Sequence, residues 1–378
     1  MAYFGGRRGE GQFLGRLSNG GGVWGGVRVL LVLTLLTCFG EFIARVFITT
    51  PSNQQYDAQL GWVYEPNSII FSSREGGADL QLNSIGFNDQ PMAQGRGRGR
   101  LVFVGDSMTE ALQVRQEDNF TSVLERLDPR IEAVNLGRSS MGPAHYGPVL
   151  DRYVSYTKGD LAIAVLTRGD LLDLLRGNVE VTRDSNDALE TMSLRPVPED
   201  RFKEVLGPFL RKSSLLTHLA RRLKPTVTGI VKPLASWVKG TKSGDGGSKL
   251  DQAYVQLHEE EVAKRLSFTL MEVHKKWPLV VIYIPALNYD ADGEVSHTFP
   301  WEGRIYAGVT SELGIPYFDT SEALAEVYRT SGQPPHGFSN AVIGKGHLNE
   351  EGHEAVGRAL HRWLGNRESM IVRMGENP

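Results

Sequence analysis

The hydrophobic positions of this chain fall into three regimes. From Val29 an uncharged run, VLLVLTLLTCFG, continues as EFIARVFI to Ile48, long enough to just span a bilayer. Residues 49–100 are polar and turn-rich. They contain LGWVYEPN and LQLNSIGFND and end in QGRGRGR, a pattern that predicts a stalk with a short β element. From residue 101 the pattern changes to short apolar runs separated by helix-compatible stretches: LVFVG (101–105), IEAVNLG (131–137), DLAIAVLT (160–167), PLVVIYIP (278–285) and IPYFDT (315–320). Continuous apolar strands alternating with helices predict a parallel sheet covered on both faces, with its site beyond the carboxyl ends of the strands.

One long interruption, 176–249, separates the third run from the fourth. Within it Leu210, Leu215, Leu216, Leu219 and Leu223 form a helical apolar stripe, surrounded by Arg211, Lys212, Arg221, Arg222 and Lys224. Two readings fit: a surface helix packed on the domain, or a helical cap resting on anionic headgroups beside the N-terminal apolar segment. The expected organisation is a basic tail (1–28), a transmembrane signal anchor (29–48), a lead-in (49–100), an α/β domain (101–365) holding the insertion, and a short tail (366–378).

Charge gives the apolar segment a direction. The tail carries Arg7, Arg8, Arg16 and Arg28 against one acid, Glu10, so the positive-inside rule keeps it in the cytoplasm and exports everything after Thr49. No small-x-small cleavage site follows the apolar run, which favours a retained anchor over a cleaved signal; a buried core helix is the alternative. The expected location is a bacterial inner membrane, crossed once, with the domain periplasmic or extracellular. Glu41 and Arg45 are four apart and could pair on one helix face. The single cysteine, Cys38, excludes a disulfide within the chain, and the threonine before it makes a poor lipoprotein site. With 378 residues, 40% of them hydrophobic, the chain can bury a substantial core, and its net charge of −3 gives no attraction to nucleic acid.

Three short elements could carry chemistry. Gly105-Asp106-Ser107 follows the first strand run directly, where a strand-to-helix turn exposes a serine hydroxyl beside helix N-terminal amides. Taken alone, the tripeptide fits a helix cap as well as a nucleophile. Asn135-Leu136-Gly137 ends the second run, and a glycine there lets a backbone N–H approach an oxyanion. Gly346-His347-Leu348-Asn349 precedes a C-terminal helix and places an imidazole where a general base could reach the serine.

In this order the three elements resemble the blocks of the SGNH/GDSL hydrolase family. Membrane-anchored members also look like this chain in a Glu-x3-Arg pair closing the anchor (Glu41, Arg45), a GW…PN segment (Gly61 to Asn67) and an N-x-x-GF segment (Asn83 to Phe87). The resemblance implies a flavodoxin-like doubly wound α/β sheet, Ser107 as nucleophile and His347 as general base. It also implies Ser107 and Gly137 as oxyanion donors, and no cofactor or metal. Asp106 belongs to the first block. Two positions depart from the pattern. The third block, usually G-x-N-D, reads Thr167-Arg168-Gly169-Asp170, so an asparagine donor is missing; losing a comparable donor elsewhere costs about 10²–10³ in rate. Arg168 is the substitute to consider. The acid expected two or three residues before the histidine is replaced by Lys345 and Gly344, which leaves Asp319 or Glu350 to orient the ring. The expected activity is hydrolysis of acyl esters, with O-acetyl groups of cell-surface glycan or lipid as substrates. The alternatives are a pseudoenzyme that binds glycan or a protein partner, and an O-acyltransferase of exopolysaccharide modification.

Overall fold

The computed structural model describes residues 21–47, 54–72, 75–91, 99–176, 179–195, 213–215, 253–290 and 292–366. Helix α1 (Gly21–Phe47) starts upstream of Val29, because Val23, Trp24 and Val27 carry the apolar pattern back into the expected tail. Its stretch Gly25–Ala44 is long and apolar enough to cross a membrane, and Leu30, Leu36 and Phe39 are all more than half exposed. Near its end the Glu41 carboxylate accepts from the Ser213 hydroxyl (2.6 Å) and from the Ser214 and Leu215 N–H groups (2.9 and 3.0 Å). The insertion therefore touches α1. The rest of its leucine stripe and the Arg45 side chain lie outside the described residues.

The lead-in is packed structure, not a stalk. It forms two antiparallel hairpins, β1 (Gln54–Asp57) with β2 (Gly61–Tyr64) and β3 (Ile69–Ser72) with β4 (Ala78–Gln81). Leu80, Leu82 and Phe87 are buried, since LQLNSIGF sends its apolar side chains inward. Asn83 Oδ1 accepts from the N–H groups of Ile85 and Phe87. Asn88 Nδ2 then donates to the Glu110 carbonyl (2.8 Å), and Asp89 Oδ2 accepts from Asn135 N–H (3.0 Å). The expected boundary at residue 100 falls between parts that hold each other.

The domain proper begins with β5 (Gly99–Val104), a short helix α2 (Ser107–Glu110), α3 (Phe120–Leu127), β6 (Ile131–Asn135), α4 (Tyr146–Thr157), β7 (Leu161–Thr167) and α5 (Asp170–Arg176). A hairpin, β8 (Val179–Arg183) with β9 (Leu189–Leu194), opens the insertion where only polar sequence was apparent. Then come α6 (Glu259–His274), β10 (Leu279–Ile284), the hairpin β11 (Leu287–Tyr289) with β12 (Val295–His297), α7 (Pro300–Glu312), β13 (Tyr317–Asp319), α8 (Ser321–Ser331) and α9 (Glu350–Gly365). The five strands expected from the apolar runs form one parallel sheet in the order β6-β5-β7-β10-β13. This is the flavodoxin-like doubly wound arrangement, whose switch point lies between β5 and β7.

Both faces of the sheet are covered, so its central strands β5, β7 and β10 are apolar along most of their length, and the buried Arg100 of β5 is paired with Glu132 of β6 at 2.7 Å. Val102, Val104, Ala164 and Val281 pack with Leu266, Leu270 and Tyr306 on one side; Leu101, Phe103, Val165 and Ile282 pack with Phe120, Leu124, Val356 and Leu360 on the other. Each such aliphatic or aromatic side chain contributes about 1.5–3 kcal/mol by leaving water. The strand ends that present the site are thereby held rigidly.

Candidate active site

Ser107 sits at the first position of α2, at the switch point. The turn before it is fixed by Asp106, whose carboxylate accepts from Met108 N–H (2.9 Å) and from the Thr167 hydroxyl (2.7 Å) at the end of β7. Burial raises the Asp106 carboxyl above its ordinary range, and these two hydrogen bonds and the nearby His347 oppose that shift. The Ser107 amide lies in the first turn of α2, where helix geometry supplies no intrahelical acceptor.

His347 comes from the loop that leads into α9. Its carbonyl accepts from Gly337 N–H (2.8 Å), and Asn349 secures the loop's end by capping α9 through Gly352 N–H (3.0 Å) and donating to the Pro334 carbonyl (2.8 Å). The ring's Nε2 stands 2.8 Å from Ser107 Oγ. Its Nδ1 stands 2.6 Å from Glu75 Oε2, and the His347 backbone N–H donates to Glu75 Oε1 at 2.8 Å. An ionised carboxylate can only accept, so the proton lies on Nδ1 and Nε2 offers its lone pair to the serine hydroxyl.

Glu75 was not anticipated from the sequence. It occupies the turn between β3 and β4, inside the segment expected to be a stalk. Asn340 holds that turn, accepting from Gly76 N–H (3.0 Å) and donating to the Gly76 carbonyl (2.6 Å). Gly346 lets the carboxylate come close: its φ is +87°, and a Cβ there would lie 2.1 Å from Glu75 Oε1. The gap left by Lys345 and Gly344 is thus met from elsewhere in the chain. Neither expected substitute reaches the ring: Asp319 Oδ1 accepts from Ser321 N–H (2.8 Å) at the start of α8, and Glu350 is exposed in the first turn of α9. The only hint in sequence was an acid beside two glycines, Glu75-Gly76-Gly77.

The oxyanion side differs from expectation. Gly137 N–H donates to Asn135 Oδ1 at 2.8 Å and is buried, so it is already engaged. Glycine is required there for packing, because a Cβ would lie 2.5 Å from both Glu110 N and Thr109 Cβ of α2. Gly169 has a φ of +103° with open space where a side chain would stand. The Arg168 guanidinium is seated 4.8 Å over the Phe299 ring. Asp170 is fully buried and accepts from Thr167 N–H (2.6 Å); burial and then the Asp106 charge push its carboxyl well above the usual range. Asp106 and Asp170 thus brace the ends of β5 and β7. Glu110, also unanticipated, accepts from Ser139 N–H (2.9 Å) and the Ser139 hydroxyl, and burial pushes its carboxyl up to about 7. Among the described residues no three His, Cys, Asp or Glu side chains are placed to hold a metal ion.

No protein-family model and no curated protein sequence matches the chain. Solved structures do. A catalytic mutant of an acetylxylan esterase from Geobacillus stearothermophilus is 16% identical, with 72% of this chain and 97% of that chain covered and a TM-score of 0.38. A member of the lipolytic protein G-D-S-L family from Veillonella parvula is 14% identical, with 70% and 98% covered and a TM-score of 0.36.

Proposed function

We propose that the chain is a serine ester hydrolase of the SGNH/GDSL type, anchored by α1 with its α/β domain on the outer face of a bacterial inner membrane. The observation that carries this reading is the hydrogen-bonded chain Ser107–His347–Glu75, at 2.8 and 2.6 Å. In the reaction Ser107 Oγ attacks an acyl carbonyl while its proton passes to His347 Nε2. Glu75 keeps the imidazole in the accepting tautomer and stabilises the imidazolium as it forms. His347 returns the proton to the leaving alcohol, and water resolves the acyl-enzyme by the same steps in reverse. The Ser107 amide faces the developing oxyanion. The second donor usual for such sites is lacking at Gly169, which sets a modest turnover.

The ring of His347 and the carboxylate of Glu75 are 25% and 20% exposed, an opening suited to esters on a polymer or a lipid headgroup. O-acetyl groups of cell-surface glycan are the preferred substrates. The altered oxyanion side favours one second reading, a domain that binds glycan without turnover. The two are separated by treating the full chain in detergent with a fluorophosphonate and assaying p-nitrophenyl acetate hydrolysis. Labelling and hydrolysis are both expected and both abolished by Ser107→Ala. A folded chain that neither labels nor hydrolyses would leave the binding reading.

A further inference from the structure

Outside α1, the described residues expose five large apolar side chains: Ile69, Val154, Leu257, Val342 and Ile343. Three of the five belong to the rim of the Ser107 site. Ile69 is on the β3–β4 hairpin that bears Glu75, and Val342 and Ile343 are in the loop that bears His347. A single exposed aliphatic residue is ordinary on any surface, but the last two are adjacent and each 59% exposed.

The pair is held out by a braced turn. The Val342 carbonyl accepts from Lys345 N–H (3.2 Å), and Gly344, at a φ of +80°, supplies the left-handed position inside that turn. Gly344 N–H donates to the His336 carbonyl (2.8 Å). Gly337, which also holds the His347 carbonyl, packs so closely that a Cβ there would lie 2.1 Å from the Val342 carbonyl. The apolar tip and the His347 ring thus share one scaffold.

The path of the chain says what faces this tip. Seven peptide units join Phe47, where α1 ends, to Gln54, where β1 begins, and they reach at most about 25 Å. Gln54 pairs with Tyr64 across the β1–β2 hairpin, and Tyr64 packs with Ala78 and Leu80 of β4, beside the turn of Glu75. The tether therefore enters the domain through the hairpins of the Ser107 site, at the carboxyl edge of the sheet. The Glu41 carboxylate, near the end of α1, adds a second attachment through residues 213–215. Charge agrees with this placement. Residues 334–349 include no acid, and Lys345 stands exposed beside the apolar pair, a composition suited to anionic headgroups.

We propose that this rim docks on the bilayer that holds α1, with Val342 and Ile343 dipping among the lipid headgroups. The docking rests on the anchoring proposed above and needs no turnover. Because the domain is tethered, even a weak affinity of the tip for lipid keeps it seated. Ser107 then faces the headgroup layer, and esters carried in that layer are the ones presented to it.

The test uses the full chain in vesicles of phosphatidylcholine and phosphatidylglycerol, some brominated high on the acyl chains. In a Cys38→Ala background, Ile343→Cys or Val154→Cys carries an environment-sensitive dye. Val154 is the control, an exposed aliphatic in the last turn of α4, at the amino edge of the sheet. The dye at 343 is expected to shift to the blue and to be quenched several-fold more than the dye at 154. Equal quenching at both positions, or none at either, overturns the proposal. A second measurement uses Val342→Asp with Ile343→Asp. Hydrolysis of acetoxycoumarin coupled to phosphatidylethanolamine should fall about tenfold or more, while hydrolysis of soluble p-nitrophenyl acetate stays within about twofold. Equal loss on both esters overturns the docking role and ties the turn to the chemistry instead. The readings on which the proposal rests are checked apart from it. Release of the chain by alkaline extraction discards the anchor, and a quenched dye at 343 without hydrolysis of either ester keeps the docking and discards the esterase.

Discussion

The central sheet and the lead-in hairpins contribute to one hydrogen-bonded chain, yet they hold their residues by different means. Ser107 rides on β5, whose residues from Leu101 to Val104 are at most 1% exposed, and its turn is tied to β7 through Asp106 and Thr167. Glu75 rides on a hairpin of four-residue strands, a kind of element that is marginal by itself. Its position depends on Asn340 gripping Gly76 and on the space left by Gly346. Ser107 is thus fixed by the core and Glu75 by a few polar contacts at the rim. Changes at the rim that leave its backbone unstrained should alter chemistry with little loss of stability, and changes on the strands should do the opposite.

The strongest way to break this contrast is Glu75→Gln. The amide can donate to Nδ1, which favours the wrong tautomer and removes the charge facing the imidazolium. By analogy with the triad aspartate of serine proteases, kcat should fall about 10⁴-fold. KM and the melting temperature should barely move, because the hairpin's packing through Leu80 and Leu82 is untouched. A kcat within tenfold of the parent would show that the hairpin is not part of the machinery.

Gly346→Ala comes next. The added methyl would overlap Glu75 Oε1, and the φ of +87° adds strain of about 1–3 kcal/mol. Gly344→Ala is its control: φ there is +80°, but the nearest atoms to a Cβ are on Tyr289 and Pro334, at 3.5 Å or more. Both variants should lose similar stability, and only Gly346→Ala should lose about 10–10³-fold in kcat through displacement of the carboxylate. Equal kcat losses would show that strain in the loop, not contact with Glu75, decides activity.

The same contrast explains what could be read from the sequence. All five sheet strands were legible, because strands covered on both faces carry short, mostly apolar runs. The meeting of Ser107 and His347 was legible because strand ends and the loop before the last helix lie at the same edge of such a sheet. Glu75 was not, since nothing local ties a turn acid to a histidine placed in the last helix's approach loop; only the tertiary contacts of Asn340 and Gly346 do. Gly137 misled for a related reason. A glycine at a strand end serves either a bound oxyanion or a tightly packed neighbour, and here the neighbour is α2. The hairpin β8–β9 was missed because its strands are half-exposed and carry no continuous apolar run.

On the sheet side, His353 sharpens the comparison through stability. It is buried on α9 against Phe120, its Nδ1 accepts from Phe120 N–H at 3.3 Å, and burial pushes its pKa down to about 3. With a folded value below the unfolded one, near 6.5, its stabilisation is complete above pH 6.5 and is lost progressively as pH falls toward 3. Between pH 6.5 and 5 this amounts to about 2 kcal/mol. His353→Gln should flatten the fall in melting temperature over that interval without shifting the pH profile of kcat. An unchanged fall would place the acid sensitivity elsewhere, and a shifted kcat profile would tie this core residue to the rim.

The smallest expected effect is at Lys345, where the family pattern has an aspartate. If His347 lacked a carboxylate partner, Lys345→Asp should raise activity by orders of magnitude. It does not lack one: Nδ1 is already hydrogen-bonded to Glu75, and the His347 backbone N–H is held by the same carboxylate. A second acid can act only at longer range, through the field at the ring. Lys345 is exposed, and exposed charges interact by about 0–1 kcal/mol. Exchanging a cation for an anion favours the imidazolium, so kcat should rise, by less than about fivefold. The gain should shrink further in 0.5 M salt, which screens such a field and leaves a direct hydrogen bond intact. In a Glu75→Gln background the same substitution should still give only this small, salt-sensitive gain, because the introduced carboxylate would start from a position facing solvent. A salt-resistant rise of a hundredfold or more would mean that the rim hairpin can be replaced by the loop's own residue, and that the carboxylate seen on His347 is not the one the reaction depends on.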